Sequence, residues 1–517
     1  MGNRFINIDS RRFQSSELIC EFQASYTIFL KTCTCCTQNY VISCTRCTQN
    51  HIKSRTTTKS KKHPECLMPY MKRKMEEAIS QWATSGDDHP LLIRGARRIG
   101  KTRLIRHIGE TTFHGDMVTL DFQTDLDTIE KIFSVPTNEP DAIVRRIQEY
   151  TGKSCEPGHT LLFFDEIQLS EKALNSLRFF SGTRWRVIAT GSLLGVTVKK
   201  RSLPFPSGVR QMDMHPMDFE EFLWALGEDA LAQSIRSHAL SMEPLLVHDK
   251  ALDLYHRYLV VGGMPKAVLA YRESGSFSEV AQEQQEIDST YVNDMTDPDN
   301  GISGISAKRI WDSLPKQLLR SSTKKFKYSE VVRGGRRSRL MEPLEWLEAA
   351  GIVSRNEMTK DTTPPLCEYC DEEGSFFKVY VADTGLMFHK FGISAEMFLS
   401  PDTTKALSSD FRGALAENYV MQALRGNGIN TLYWTPEGGT RGELDFVFQN
   451  TMAQAIPVEV KSARNVTAKS LARFVREGNS PYAYRLSERN FGVDTVAETS
   501  VPLRSLPLYA AFTITAD

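Results

Sequence analysis

Gly95-Ala96-Arg97-Arg98-Ile99-Gly100-Lys101-Thr102 is the stretch that decides how this chain is read. It satisfies G-x-x-x-x-G-K-[ST] between the short apolar run Leu91-Leu92-Ile93-Arg94 and a helical spacing of Leu104, Ile105 and Ile108. Strand, glycine loop and helix therefore come in the order that a phosphate cradle requires. The two glycines let the backbone curl until its N–H groups point inward, and the helix adds its positive end. In this pattern Lys101 neutralises the outer phosphates of a nucleotide and Thr102 ligates Mg²⁺. Gly95, Ala96, Arg97, Arg98, Ile99, Gly100, Lys101 and Thr102 are thus the candidate nucleotide-binding residues, with ATP and Mg²⁺ as the expected ligands.

Further along the chain, Leu161-Leu162-Phe163-Phe164-Asp165-Glu166 reads as a buried strand ending in two carboxylates. Ligands gather at the carboxyl ends of such parallel strands. Asp165 is expected to hold Mg²⁺ through water; the expected catalytic residues are Glu166, which polarises the attacking water, and Lys101, which neutralises the phosphates. Val118 to Phe122 and Arg186 to Ser192 fit the same sheet, and a fifth strand is expected around Arg210 to Met214. Thr190 or Ser192 either senses the terminal phosphate or closes a turn. Arg210 is either an arginine finger for a neighbouring subunit or an ordinary surface residue.

Composition bounds the rest. With 517 residues, 41% hydrophobic and 24% charged, the chain has ordinary globular usage for several domains. Lys plus Arg and Asp plus Glu both total 63, so any charge argument about partners is local. No apolar run approaches a membrane span and no signal core is present, which leads us to expect a cytoplasmic protein with no membrane partner. Seven of the ten cysteines lie in the first 66 residues. There Cys33, Cys36, Cys44 and Cys47, with His51 nearby, have paired zinc-ligand spacing. The competing reading of residues 1–66 is a disordered or non-native extension, with a natural start at Met68 or Met71. Cys367 and Cys370 form half a zinc site without a second pair.

The expected architecture is α/β and multidomain. A P-loop NTPase core with a parallel sheet spans 67–218 and a helical lid 219–300, punctuated at Gly262-Gly263-Met264-Pro265. A winged-helix-like module spans 301–398, where Lys324, Lys325, Lys327, Arg333, Arg336, Arg337 and Arg339 suit a DNA-contacting face, a solvated face or a protein-docking surface. A restriction-endonuclease-like α/β domain spans 399–517.

In that last domain Glu443-Leu444-Asp445-Phe446-Val447-Phe448 precedes Pro457-Val458-Glu459-Val460-Lys461. Strand alternation puts Leu444, Phe446 and Phe448 on one face and Asp445 on the other, and makes Glu459 and Lys461 project together. Glu417, on a helix from Gly413, approaches the same spot. Glu417, Asp445, Glu459 and Lys461 are therefore a second candidate metal site, able to orient water toward a phosphodiester. The alternative is a binding platform whose carboxylates are salt-bridged to Lys461 and Arg441. Arg464, Lys469, Arg473 and Arg476 suit a phosphate-tracking surface or a solvated helix face.

The ordered motifs GARRIGKT, LLFFDEIQ, ATGSLL, VGGMP, FKVYVADTGL, GALAENYV and ELDFV followed by PVEVK run from about residue 72 to 475. In these the chain resembles a large group of prokaryotic AAA+-type ATPases that join a P-loop domain to a C-terminal domain of unknown function with a nuclease-like core. The resemblance implies ATP binding and hydrolysis at Gly95 to Thr102 with Asp165 and Glu166. It leaves the activity of the C-terminal domain open. The chain departs from the pattern in its N-terminal extension and in lacking the proline that precedes the aspartate in many active nucleases, where Leu444 stands. Three functions follow as expectations: an ATP-driven switch of domain arrangement, acting on DNA; an ATP-gated Mg²⁺-dependent nuclease; and a non-catalytic, nucleotide-bound protein that engages a partner protein.

Overall fold

Five short strands build the first sheet. The computed structural model describes residues 70–192, 206–320, 324–371, 374–400, 407–437, 442–462 and 469–517, with Asp402 and a small hairpin of Thr197–Val198 and Arg201–Ser202. The cysteine-rich extension with its zinc reading, the start at Met68, and Arg441 and Arg464 lie outside the described residues.

Strands β1 (Leu91–Arg94), β2 (Met117–Asp121), β3 (Leu161–Asp165), β4 (Arg186–Gly191) and β5 (Arg210–Asp213) form a five-stranded sheet in the order β2-β3-β4-β1-β5. Every neighbouring pair is parallel. In the central strands alternate residues enter different cores. Leu91, Ile93, Leu161, Phe163 and Ile188 face one, and Leu92, Leu162, Phe164, Val187 and Ala189 face the other. The second core is closed by α3 (Leu126–Ile132), α4 (Pro140–Thr151) and α5 (Glu171–Phe180) through Ile129, Ile143, Leu174 and Leu177. On the first face lie α1 (Met75–Thr84) and α2 (Lys101–Thr111), and from there the same core continues into the rest of the chain.

Residues 219–300 are helical, as periodicity predicts: α6 (Phe219–Ala225), α7 (Asp229–Ser241), α8 (His248–Val261), α9 (Pro265–Ser274) and α10 (Phe277–Thr296). Asp218 and Glu221 close a capping box at the start of α6. The break at Gly262-Gly263 has a steric cause. A Cβ on Gly263 would lie 1.8 Å from the Met217 carbonyl oxygen, so only glycine lets the two backbones meet.

Next come α11 (Gly304–Arg320), α12 (Tyr328–Val331), α13 (Arg337–Ala349), β6 (Val353–Thr359), β7 (Phe377–Val381), α14 (Thr384–Phe391) and α15 (Ala395–Leu399). After α16 (Ser409–Gly426) follow β8 (Thr431–Trp434), β9 (Leu444–Gln449), β10 (Ala455–Val460), α17 (Lys469–Glu477), β11 (Ala483–Ser487), β12 (Gly492–Thr495) and β13 (Pro502–Pro507). One eight-stranded mixed sheet, β7-β6-β8-β9-β10-β11-β13-β12, draws strands from both sides of residue 398. Its joint is the parallel pairing of β6 with β8, Leu432 opposite Glu357.

The expected shared face of Leu444, Phe446 and Phe448 is corrected here. The β8–β9 register shifts between Leu432 and Trp434, which turns Leu444 toward Trp434, Val447 and Phe474 of α17. Phe446 and Phe448 enter the large core instead.

Candidate functional site

The strand order decides what the glycine loop faces. Because β4 lies between β1 and β3, the loop after β1 and the carboxylates after β3 flank the end of β4. Ile93 is level with Thr190, and Phe164 with Ala189. Thr102 Oγ1 donates to Asp165 Oδ2 at 2.9 Å, and Thr190 donates its hydroxyl to Asp165 Oδ1. Thr190 Oγ1 also accepts from the Glu166 N–H at 3.3 Å. Burial raises the Asp165 pKa, opposed by the two hydroxyl bonds.

Glu166 takes the left-handed backbone conformation, φ +57°, a strained geometry for a side-chain-bearing residue. Its Oε2 accepts from Ser192 Oγ and from Gln168 Nε2, both at 2.6 Å. Burial works against its charge, but Lys101 and these donors outweigh burial and hold its pKa below the usual value.

Lys101 is 5% exposed, and its Nζ donates to the carbonyl oxygens of Gly95 at 2.8 Å and Ala96 at 2.9 Å. Among the described residues no carboxylate lies within ion-pair distance of it. Burial, offset in part by Glu166 and Asp165, pushes the ammonium down to about 8. A buried cation held only by neutral carbonyls lacks an anionic partner, which is the electrostatic demand a phosphate group meets. A Cβ on Gly95 would lie 2.2 Å from the Met214 carbonyl oxygen, so the loop fits against the β5 exit only with glycine there. The adjacent Thr102 hydroxyl and Asp165 carboxylate are oxygen donors of the kind Mg²⁺ takes, with water and phosphate completing its shell. The donor set therefore fits nucleotide and metal together.

Other contacts of the loop were not legible in sequence. Arg73 Nη1 donates to the Ile99 carbonyl at 2.8 Å and its Nε pairs with Glu221 at 3.1 Å. From α10, Asp294 pairs with Arg97 at 2.5 Å, Tyr291 donates its hydroxyl to the Arg97 carbonyl at 3.0 Å, and Glu286 lies 3.8 Å from Arg98. Gln168 was within reach, three residues from Asp165. The α10 acids had no local signal. Arg210 stands opposite Leu91, at the end of the sheet away from the loop, and pairs with Asp87 at 2.7 Å.

The second candidate site is a mixed ion cluster. Glu417 contacts Lys324 directly, Lys378 at 3.7 Å and the Tyr380 hydroxyl at 3.3 Å. Lys378, fully buried, pairs with Glu443 at 2.6 Å. Asp445 Oδ2 accepts from the Val460 N–H at 2.8 Å, and Lys461 pairs with Glu459. Burial and the Asp445 charge push the Glu459 carboxyl up to about 7 against the pull of Lys461. Among the described residues, Glu417, Asp445 and Glu459 do not bring three carboxylate oxygens within 4.8 Å of one another. Four carboxylates, Glu417, Glu443, Asp445 and Glu459, stand here against three ammonium groups, Lys324, Lys378 and Lys461, and the ion pairs engage Glu417, Glu443 and Glu459; no metal-dependent step is derived from the cluster.

The basic residues also divide. Lys324 and Lys325 turn inward, Lys325 over the rings of Phe376 and Tyr433, whereas Lys327, Arg333, Arg336, Arg337 and Arg339 are exposed. Arg473 pairs with Glu477 and Arg476 with Glu498, and Lys469 is exposed. Cys367 and Cys370 are free and exposed, and among the described residues neither joins a group of metal-ligating side chains. Also among the described residues, no helix is long and apolar enough to cross a membrane.

Residues 87–223 match a family model described as an AAA domain. Residues 252–397 and 412–504 match two models described as domains of unknown function. No curated protein matches the chain. A solved structure described as "Structure of Drosophila ORC bound to DNA" covers 72% of this chain and 100% of its own, at 10% identity and a TM-score of 0.25, too slight a likeness to carry an argument. Strand order, glycine loop and family match agree that residues 87–223 are an AAA-type P-loop domain, continued by two domains of unknown function.

Proposed function

We propose that the protein binds Mg²⁺-ATP in the loop Gly95 to Thr102, hydrolyses it, and uses the nucleotide state to set the arrangement of the elements after residue 218. The observation that carries this reading is Lys101, buried without a carboxylate partner beside the Thr102–Asp165 pair. In this reading Lys101 and the loop N–H groups bind the phosphates. Thr102 and Asp165 hold Mg²⁺, which supplies charge neutralisation at the phosphates when bound. Glu166, positioned by Ser192 and Gln168, orients and polarises the attacking water. Phosphate release and nucleotide binding test the assignment. Lys101→Ala is expected to abolish binding, and Glu166→Gln to keep ATP bound with turnover reduced about 100-fold or more. Unchanged hydrolysis in both variants would refute it.

For the C-terminal domain the ion cluster favours a binding or structural platform over a nuclease. We expect supercoiled plasmid with Mg²⁺ to stay intact with wild type and Lys461→Ala alike, with or without ATP. Nicking by wild type alone would reinstate the nuclease reading. Helices α11, α12 and α13 followed by antiparallel β6 and β7 have the order of a winged helix, and Arg333, Arg336, Arg337 and Arg339 around the start of α13 are exposed. That surface suits the phosphate backbone of DNA.

A further inference from the structure

The two arginines of the glycine loop, Arg97 and Arg98, both turn toward one helix. Glu286, Tyr291 and Asp294 of α10 meet them at the side chain of Arg98, the carbonyl of Arg97 and the guanidinium of Arg97. Neighbouring positions of the same helix face elsewhere. Asp288 accepts from Trp311 Nε1 of α11 at 2.7 Å and lies 3.5 Å from Lys390 of α14. Helix α10 therefore holds the nucleotide loop through one set of side chains and the following helices through another.

The charges at the loop do not balance. Arg97 and Lys101 are two cations facing three carboxylates, Asp165, Glu166 and Asp294, and Arg97 acts electrostatically on Lys101, Glu166 and Asp294 alike. Burial and the nearby Glu166 raise the Asp294 pKa, while Arg97 opposes them. Asp165 is fixed by Thr102 and Thr190, and Glu166 by Ser192 and Gln168. Among the described residues, Arg97 is the one cation paired with the Asp294 carboxylate. An anion added at the loop repels all three carboxylates, and Asp294 is the one whose partner the anion can take.

We propose that Arg97 is a terminal-phosphate sensor in cis, held by Asp294 in the nucleotide-free protein and transferred to the outermost phosphate of a bound nucleoside triphosphate, which releases the end of α10. This inference rests on the nucleotide-binding reading above and adds to it the residue that tells triphosphate from diphosphate and the helix that receives the difference. Arg97 is the positioning and discriminating residue, and Asp294 its competitor.

The test is binding of fluorescent ATP and ADP analogues to the full chain, with thermal melts to verify folding. Arg97→Ala is expected to weaken ATP about tenfold or more while leaving ADP within about twofold, since one charge-assisted hydrogen bond is lost to the triphosphate alone. Asp294→Asn is expected to tighten ATP about tenfold and leave ADP nearly unchanged. Equal effects on the two nucleotides, or no effect, in Arg97→Ala would overturn the proposal. Hydrogen exchange on wild type needs no variant: amides of residues 291–296 should exchange faster with ATP than with ADP, and identical exchange would equally overturn it. Wild type that binds neither nucleotide sinks the nucleotide-binding reading and this one together. Binding whose ATP-to-ADP ratio ignores Arg97 sinks this one alone.

Discussion

Lys101 shows how a residue proposed to bind phosphate weakens the ligand-free protein. Its ammonium is pushed down to about 8 by burial, against an ordinary 10.5. The unfolded chain therefore binds that proton more tightly than the folded one. The resulting penalty is present in full below pH 8 and fades as pH rises toward 10.5. Lys101→Met, which keeps the length of the side chain without its charge, is expected to abolish nucleotide binding yet raise the ligand-free melting midpoint by about 2–4 °C at neutral pH. The gain should shrink above pH 8 in melts taken across the titration; a lower midpoint, or a gain that ignores pH, would contradict the account. Lys101 was legible in sequence because its neighbours in the loop are its neighbours in the chain. Asp294 was not, because its partner lies 197 positions away and no periodicity connects them.

At the scale of elements the sequence placed strands and helices well and their pairings poorly. The runs at 161–165 and 186–191 announce buried strands by their apolar continuity. The parallel joint of β6 to β8 unites segments that were read as separate modules, and pairing between distant strands leaves no mark in either one. The register shift at Trp434 is hidden in the same way, and it decides which core receives Leu444. The ion cluster shows the consequence. Glu417, Asp445, Glu459 and Lys461 were legible, but Lys378, on β7, was not. This lysine is fully buried, and although burial opposes its charge, Tyr380, Glu417, Glu443 and Asp445 hold its pKa well above the ordinary value. Lys378→Ala would leave buried carboxylates uncompensated, with an expected loss of about 3–5 kcal/mol in denaturant unfolding. A loss under about 1 kcal/mol would mean that water already reaches the cluster.

Across the molecule, three of the motifs that carry the family resemblance are joined to one another by hydrogen bonds. Tyr258 donates its hydroxyl to the Met217 carbonyl at 2.6 Å and accepts from Gln422 Nε2 at 2.8 Å. Asp383 accepts from the Gly263 N–H at 2.6 Å, and Asn418 exchanges hydrogen bonds with the Val381 backbone at 2.9 Å in both directions. Val261 to Pro265, Phe377 to Leu386 and Gly413 to Val420 thus meet in one buried polar junction, with α16 at its centre. Residues 69–517 form a single compact unit, and buried polar networks of this kind resist partial opening. We expect one cooperative calorimetric transition for this part of the chain, and Gln422→Leu to lower its midpoint without splitting it. Two separated transitions would show that the nucleotide-binding and C-terminal parts unfold independently.

The distance along the chain between Arg97 and Asp294 also sets a clock. A ribosome adding about 5–20 residues per second needs roughly 10–40 s to travel those 197 positions. The last strand of the sheet ends at Asp213, so over the final 81 of those positions (294 − 213) the loop and all five strands have been synthesised while the acid that pairs with its arginine has not. On the proposed reading, the nascent chain would meet ATP before Asp294 exists, and the helix bearing that acid would arrive as a late competitor for Arg97.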